Sequence, residues 1–392
     1  MNNKNKIYYW IALVLVLGVS LIALFGNPLS KTPGMYQITS AQAQYIGASA
    51  NVQWQNAMAW TRNNTGKDDI FVHWWDYGYF VQTLGERPSV TDGGHAGGQD
   101  GNHYIGRYIL TTPNPKTALS YMKTWNVSYL LIDPTEMGKY GAFSKIGSND
   151  SWDRISAGIF GGESDEAQIQ ETANGLTRIY QLGGCVDEDI SYIDNNSKVF
   201  LPGITISRTQ QMQCNSYVIG VIVEFKDKNG QTSIEQPMGV YYYNNKQYRI
   251  PIKNVFYNGQ MISFEKGIDS VVYLIPKVDD KSGKIDLVGA MIYLSPRTFN
   301  SLMGRLYILG DYYNEYPTLK EAIFEDDPVV SYFKQFAGGV LNEFVWYGGI
   351  RAPLKIWEVN YPEGTPVHRE FVFGRSEGVI FGGLDHLFKE DG

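Results

Sequence analysis

Residues 8–25 form an apolar run of about 18 positions without a charge, the lower end of what spans a hydrocarbon core as a helix. Asn27-Pro28 ends the run. Lys4 and Lys6 precede it, so the positive-inside tendency places the short N-terminus in the cytoplasm and the rest of the chain outside the cell. The alternative is a secretory leader cut near Ala41-Gln42-Ala43, a site that lies about 15 residues past a run already long for a signal core. Beyond the anchor the pattern takes on helical spacing over residues 40–59, with Trp54 and Trp60 available to pack inward. Phe71-Val72 and residues 89–91 read as short strands, 104–110 and 117–125 as helical segments, and 128–132 as a strand ending at Asp133-Pro134. Strands alternating with helices in this way predict an α/β core.

From Gln181 the texture shifts to short β-rich runs broken by hairpin signals at Lys228-Asn229-Gly230, Asn244-Asn245-Lys246, Asn258-Gly259 and Asp280-Lys281-Ser282-Gly283. Each supplies residues that tolerate positive φ between stretches of Val, Ile, Tyr and Phe. The expected fold class is therefore a mixed α/β (α+β) central core with an antiparallel β-rich domain, preceded by one transmembrane helix. The division reads 1–28 as the membrane helix, 29–180 as the central core and 181–295 as the antiparallel β domain, a sandwich or small barrel. Residues 296–360 return to the core, with helical pattern at 300–309 and 319–324 and a strand at 354–359. Residues 361–392 read as a β hairpin and tail.

A chain of 392 residues with 43% hydrophobic and 19% charged residues buries a sizeable core and is not disordered. Its net charge of -7 argues against a nucleic-acid partner, whose phosphates would be met by a basic stripe. Cys185 and Cys214 fall on the expected external side, where they either stay free or close a disulfide loop of about 30 residues. Neither has a second thiol or imidazole at zinc-ligand spacing.

The segment richest in chemistry is His73-Trp74-Trp75-Asp76-Tyr77-Gly78-Tyr79. An indole N–H only donates and an ionised aspartate only accepts, so together they read a hydroxyl, which does both. The plainer reading is an aromatic corner of the core whose aspartate caps a turn. Asp92-Gly93-Gly94-His95, Gly97-Gly98-Gln99-Asp100 and His103 make a glycine-rich loop that reads as a backbone approach to a peptide site, or as a metal site whose ligands lack regular spacing. Asp187-Glu188-Asp189 and Asp279-Asp280 read as solvated turns or surface Ca²⁺ sites, and sequons stand at Asn63, Asn126, Asn149 and Asn195.

Trp74-Trp75-Asp76-Tyr77-Gly78 resembles the W-W-D-Y-G signature of the catalytic subunit of archaeal (AglB-type) oligosaccharyltransferase, the membrane enzyme that moves a dolichol-linked glycan onto asparagine. The resemblance covers its last membrane helix and C-terminal soluble domain. It implies that Trp74, Trp75 and Asp76 bind the Ser or Thr hydroxyl of an acceptor Asn-X-Ser/Thr sequon, with Tyr77 and Gly78 shaping the turn. The family's second motif, Asp-x-x-Lys-x-x-x-Met/Ile, is matched by Glu136-Met137-Gly138-Lys139-Tyr140-Gly141-Ala142-Phe143, with Ile146 beyond it. Glutamate stands where aspartate is usual, so Asp133 is the other acidic candidate, and Phe143 stands where a branched or flexible apolar residue is usual. Lys139 is then expected to support the pocket, with Phe143 or Ile146 against the threonine methyl; the alternative is a surface lysine on an ordinary amphipathic helix.

In that family the catalytic carboxylates, the Mn²⁺ or Mg²⁺ they hold and the contacts to the lipid-linked oligosaccharide belong to a many-spanning membrane portion. Nothing in this sequence is expected to replace them: no residue here is assigned as catalytic or as a metal ligand, and the chain alone is expected to be inactive. A competing reading of a different class is a membrane-anchored external module whose aromatic-rich β domain, with 28 tyrosines in the chain, binds carbohydrate or protein.

Overall fold

The computed structural model describes residues 3–26, 34–38, 50–94, 98–172, 175–194, 197–209, 211–228, 231–279, 281–337, 343–368 and 370–373. The chain divides into two units, Met1–Val52 and Gln53–Gly392. In the first, helix Asn3–Phe25 carries the apolar run, and its Lys6–Phe25 portion is long and apolar enough to cross a membrane. The helix predicted over 40–59 begins instead at Val52, as Val52–Asn64; positions 40–49 and the Ala41-Gln42-Ala43 site lie outside the described residues.

The second unit is built on two main sheets. In the four-stranded one, Ile70–Val72 pairs parallel with Val127–Ile132, which pairs antiparallel with Leu354–Val359, which pairs antiparallel with Leu319–Glu325. Phe71, Val72, Leu130, Leu131, Ile132, Leu354 and Ile356 are fully buried, as expected of short β-rich runs covered on their faces. Leu319–Glu325 is a strand where the sequence read as helix. Leu, Lys, Glu and Ala carry helical propensity, but pairing from Leu319↔Val359 to Glu325↔Leu354 supplies partners that a local pattern does not reveal.

Several helices flank this sheet. Asn114 starts helix Pro115–Thr124, its side chain accepting from the Lys116 amide at 3.0 Å with Pro115 in the first turn. Helix Glu136–Ile146 follows Val127–Ile132 directly, entered through Asp133, whose Oδ1 accepts from the Thr135 amide at 2.8 Å.

The β-rich part is a twelve-stranded sheet with two separate two-stranded ones, Ile190–Asp194 with Ser197–Leu201 and Thr205–Ile206 with Met212–Gln213. It starts at Phe160–Glu163 rather than at 181, and strand Gly175–Cys185 crosses the expected boundary. Two short strands, Val345–Trp346 and Ile350–Arg351, join it from beyond 295. Most pairs are antiparallel, but Lys246–Tyr257 runs parallel to Ile268–Val278, so the sheet is mixed rather than purely antiparallel. Its buried cluster includes Tyr180, Val221, Tyr241, Ile250, Val272 and Met291. Cys185 and Cys214 are disulfide-bonded beside it. The expected terminal hairpin is absent among the described residues: Glu370–Phe373 is a short helix whose Phe371 ring packs on Tyr108 at 4.6 Å and Tyr121 at 5.5 Å. Residues 374–392 lie outside the described ones.

Candidate functional site

Strand Ile70–Val72 ends at His73, and the chain then tightens into the 3-10 turn Trp75–Tyr77 before helix Gly78–Thr83. Gly78 is required by packing, since a Cβ there would lie 2.4 Å from the Asp92 Cα and 2.5 Å from the Thr91 carbonyl oxygen. That contact seats the glycine-rich loop directly against the motif. Asp92 is held there by Gln82 Nε2 at 2.9 Å and by the Gly94 amide at 2.8 Å.

Helix Glu136–Ile146 brings the second motif to the turn. Lys139 Nζ donates to Asp76 Oδ2 at 2.6 Å and to the Tyr77 hydroxyl at 3.0 Å, and lies 4.6 Å from the centre of the Tyr77 ring. The Asp76 and Lys139 side chains are 25% and 35% exposed, so this pair is partly open to solvent. The Tyr77 hydroxyl donates in turn to Asp133 Oδ1 at 3.1 Å and also meets Thr135 Oγ1. Burial first, with Asp133 and Glu136 adding to it, raises the Tyr77 phenol far above its ordinary range, so it keeps its proton. Asp133 is buried and saturated: Oδ1 also accepts from Thr135 N and Oγ1, and Oδ2 accepts from Trp54 Nε1 at 2.7 Å. The Trp54 indole stacks on Tyr77 at 5.2 Å and meets Phe80 edge-on at 5.1 Å. A chain of polar contacts thus runs from buried Trp54 through Asp133, Tyr77 and Lys139 to half-exposed Asp76.

Trp74 is buried, its ring 5.6 Å from Phe143 and 6.5 Å from the half-buried Trp75. Phe143 is itself fully buried and packs on Tyr140 at 4.8 Å. It therefore props Trp74 from behind and presents no surface to a threonine methyl, so of the two residues expected there only Ile146 offers an exposed side chain. Ile146 is 41% exposed at the end of the helix, about 10 Å along the axis from Lys139.

Both acidic candidates are present at the site, in different roles. Asp133 anchors the Tyr77 hydroxyl, whereas Glu136 is fully buried and its Oε1 accepts from the Trp74 amide at 3.3 Å. Burial, then the nearby Asp133 charge, hold the Glu136 carboxyl well above the usual carboxylate range. His73 is also fully buried, with Nδ1 2.8 Å from the Trp74 carbonyl oxygen, and burial pushes its pKa down to about 4.

Sequence reasoning missed Trp54, Thr135 and His73 as members of the site. For Trp54 a signal existed: a buried indole N–H must find an acceptor, and Asp133 closes a strand that follows. Elsewhere, Asp187 is not a solvated turn but a buried acceptor for Ser156 Oγ, the Ala157 amide and Ser295 Oγ. Asp279 does close a turn, accepting from the Lys281 and Ser282 amides. Among the described residues no group of three or more His, Cys, Asp or Glu is placed to hold a metal ion, and His103 Nδ1 is engaged with the Ile146 carbonyl at 2.7 Å.

Residues 67–150, the stretch containing both motifs, match the family model of the STT3/PglB/AglB core domain. The dolichyl-phosphooligosaccharide-protein glycotransferase 1 of Pyrococcus furiosus is 30% identical over 132 residues, 33% of this chain and 13% of the relative. Its namesake from Pyrococcus horikoshii is 32% identical over 96 residues, 24% of this chain and 9% of the relative. The aligned part of the chain thus spans 13% or less of the length of these two relatives. Among solved structures, the C-terminal domain of C. jejuni PglB is 13% identical, covering 79% of this chain and 100% of that one at a TM-score of 0.37. The C-terminal globular domain of the Pyrococcus abyssi oligosaccharyltransferase is 12% identical, covering 79% and 50% at a TM-score of 0.37.

Proposed function

On the premise that residues 67–150 are an STT3/PglB/AglB core domain, in a chain homologous to archaeal dolichyl-phosphooligosaccharide-protein glycotransferases, we propose that the Trp74-Trp75-Asp76 turn recognises the Asn-X-Ser/Thr sequon of an acceptor polypeptide. The observation that carries this reading is the partly exposed Asp76 carboxylate, fixed on one oxygen by Lys139 and preceded in the turn by the half-buried Trp75. Asp76 accepts the proton of the Ser or Thr hydroxyl, the Trp75 side forms one wall, and buried Trp74 is the floor on which that wall stands. Lys139 and Tyr77 hold Asp76 in place so that the turn does not have to reorganise when the peptide arrives. A pocket built for a hydroxyl discriminates strongly against an analogue lacking it, because its own polar groups are then left unpaired.

In this reading the glycan comes from a dolichol-linked carrier, the helix Lys6–Phe25 lies in the membrane, and the domain after it faces the external side. In the same reading the transfer step would draw on a divalent ion, Mn²⁺ or Mg²⁺, held by the full enzyme. The described residues of this chain do not form a site that fits such an ion, so no step of transfer is assigned to them.

The test is titration of the detergent-solubilised full chain with fluorescent peptides containing Asn-X-Thr or Asn-X-Val. The Thr→Val change in the peptide and Asp76→Ala in the protein each weaken binding by about tenfold or more, the expected penalty for an unpaired buried polar group. Equal affinity across all combinations overturns the reading.

A further inference from the structure

Trp74 is held through its backbone as well as through its ring. Its N–H donates to Glu136 Oε1 at 3.3 Å, and its carbonyl oxygen lies 2.8 Å from His73 Nδ1 while also accepting from the Tyr77 amide at 3.2 Å. Because a carbonyl only accepts, Nδ1 of His73 carries the proton. Both side chains are fully buried, and each has a second polar atom, His73 Nε2 and Glu136 Oε2, with no hydrogen-bond partner. A buried polar atom left without a partner calls for a specific reason, and here the two side chains that carry one each hold the backbone N–H and C=O of a single residue, Trp74.

We infer that His73 and Glu136 are positioning residues of this pocket: a buried imidazole and a buried carboxyl that grip the Trp74 backbone from both sides and thereby aim Trp75 and Asp76. Neither touches the acceptor. Both act as uncharged groups. Glu136 faces the Asp133 and Asp76 carboxylates, the Lys139 ammonium and the Tyr77 and Tyr307 phenols, so a negative charge there would meet two carboxylates in a buried setting. Among the described residues the charged group that acts on His73 is Asp92, and burial outweighs that attraction. The neutral state of Glu136 is therefore lost as pH rises through its elevated pKa, and that of His73 as pH falls through about 4. Between those limits the Trp74 peptide is clamped; outside them a buried charge appears on one side of it. The consequence for the acceptor is a binding optimum bounded on the high-pH side by the raised Glu136 carboxyl and on the acid side by His73.

Its bearing on acceptor binding rests on the sequon reading above, so the experiment has one readout that needs no peptide. In the detergent-solubilised full chain, hydrogen exchange of the Trp74 amide is compared for wild type, Glu136→Gln, Glu136→Leu, His73→Asn and His73→Leu, alongside Asn-X-Thr peptide affinity from acid to alkaline pH. Glutamine keeps an uncharged acceptor and asparagine keeps an N–H donor, so both are expected to preserve Trp74 protection and neutral-pH affinity to within about twofold. Glu136→Gln is also expected to abolish the loss of affinity that wild type shows as pH rises through the Glu136 titration. Glu136→Leu leaves the Trp74 N–H unpaired, accelerating its exchange and weakening the peptide by about tenfold, while His73→Leu, which leaves the Trp74 carbonyl to the Tyr77 amide alone, shifts both in the same direction by less. Unchanged Trp74 protection in Glu136→Leu, a glutamine variant as weak as the leucine one, or a loss with rising pH that persists in Glu136→Gln overturns the inference. Should a leucine variant fail to fold, the comparison of Glu136→Gln with wild type decides alone. If wild type binds no sequon peptide, the proposed function fails and the exchange data still judge the clamp.

Discussion

The pair Trp54 and Asp133 lies 79 residues apart in sequence and meets through one hydrogen bond of 2.7 Å beneath the candidate site. Asp133→Asn keeps the shape of the side chain but replaces one acceptor oxygen by an N–H₂ group. With the amide nitrogen toward Trp54, two donors face each other at the former bond; flipping the amide moves the same conflict onto the Thr135 amide, which now donates to Asp133 Oδ1 at 2.8 Å. Losing one buried bond to a charged acceptor and leaving a donor unpaired costs about 3 kcal/mol. Trp54→Phe removes the indole N–H while keeping a ring over Tyr77, so in that background the introduced amide nitrogen meets no donor, and the same Asp133→Asn change costs about 1 kcal/mol. The double-mutant cycle is therefore expected to give a coupling of about 2 kcal/mol. Urea unfolding of the four detergent-solubilised proteins, followed by far-ultraviolet circular dichroism, measures it. A coupling below about 0.5 kcal/mol, the scatter expected for independent sites, refutes the claim that this bond anchors the network under Asp76.

Lys139→Met is expected to weaken Asn-X-Thr peptide binding while changing stability by less than about 1 kcal/mol, because the Asp76 pair is partly exposed; peptide titration and urea unfolding on the same samples separate the two effects. Gly78→Ala forces the turn away from Asp92 and is expected to lower stability by about 2 kcal/mol and abolish peptide binding, whereas Gly138→Ala, with open space at its Cβ, leaves both intact. Breaking the Cys185–Cys214 disulfide by a double serine substitution opens a loop with a sequence separation of 29, and the loop-entropy relation gives a loss of about 3–4 kcal/mol in urea unfolding. His73, with its pKa depressed to about 4, contributes stability that is present above its ordinary value of 6.5 and is lost as pH falls toward 4; wild type loses about 3 kcal/mol over that window that His73→Asn retains.

Local pattern was enough to reveal the apolar helix, the strand read at 128–132 and the turn ending at Gly78, because each is written in neighbouring residues, whereas the helix at 136–146 was expected from the family resemblance of its motif. The expectation that Lys139 supports the turn came from the family resemblance of its motif; its ammonium lies 2.6 Å from Asp76. Tertiary structure alone decided the rest. Leu319–Glu325 became a strand because Leu354–Val359 offers it an edge, and Phe143 became a prop rather than a contact because Trp74 closes over it. Asp133 and Glu136 looked like alternatives for one position, but a helix entered at Asp133 turns the first carboxyl toward Tyr77 and Trp54 and the second toward the Trp74 amide. Which groups are shielded from water, and which carboxyl therefore keeps its proton, depends on residues brought together from distant parts of the chain, and no spacing within a motif encodes that.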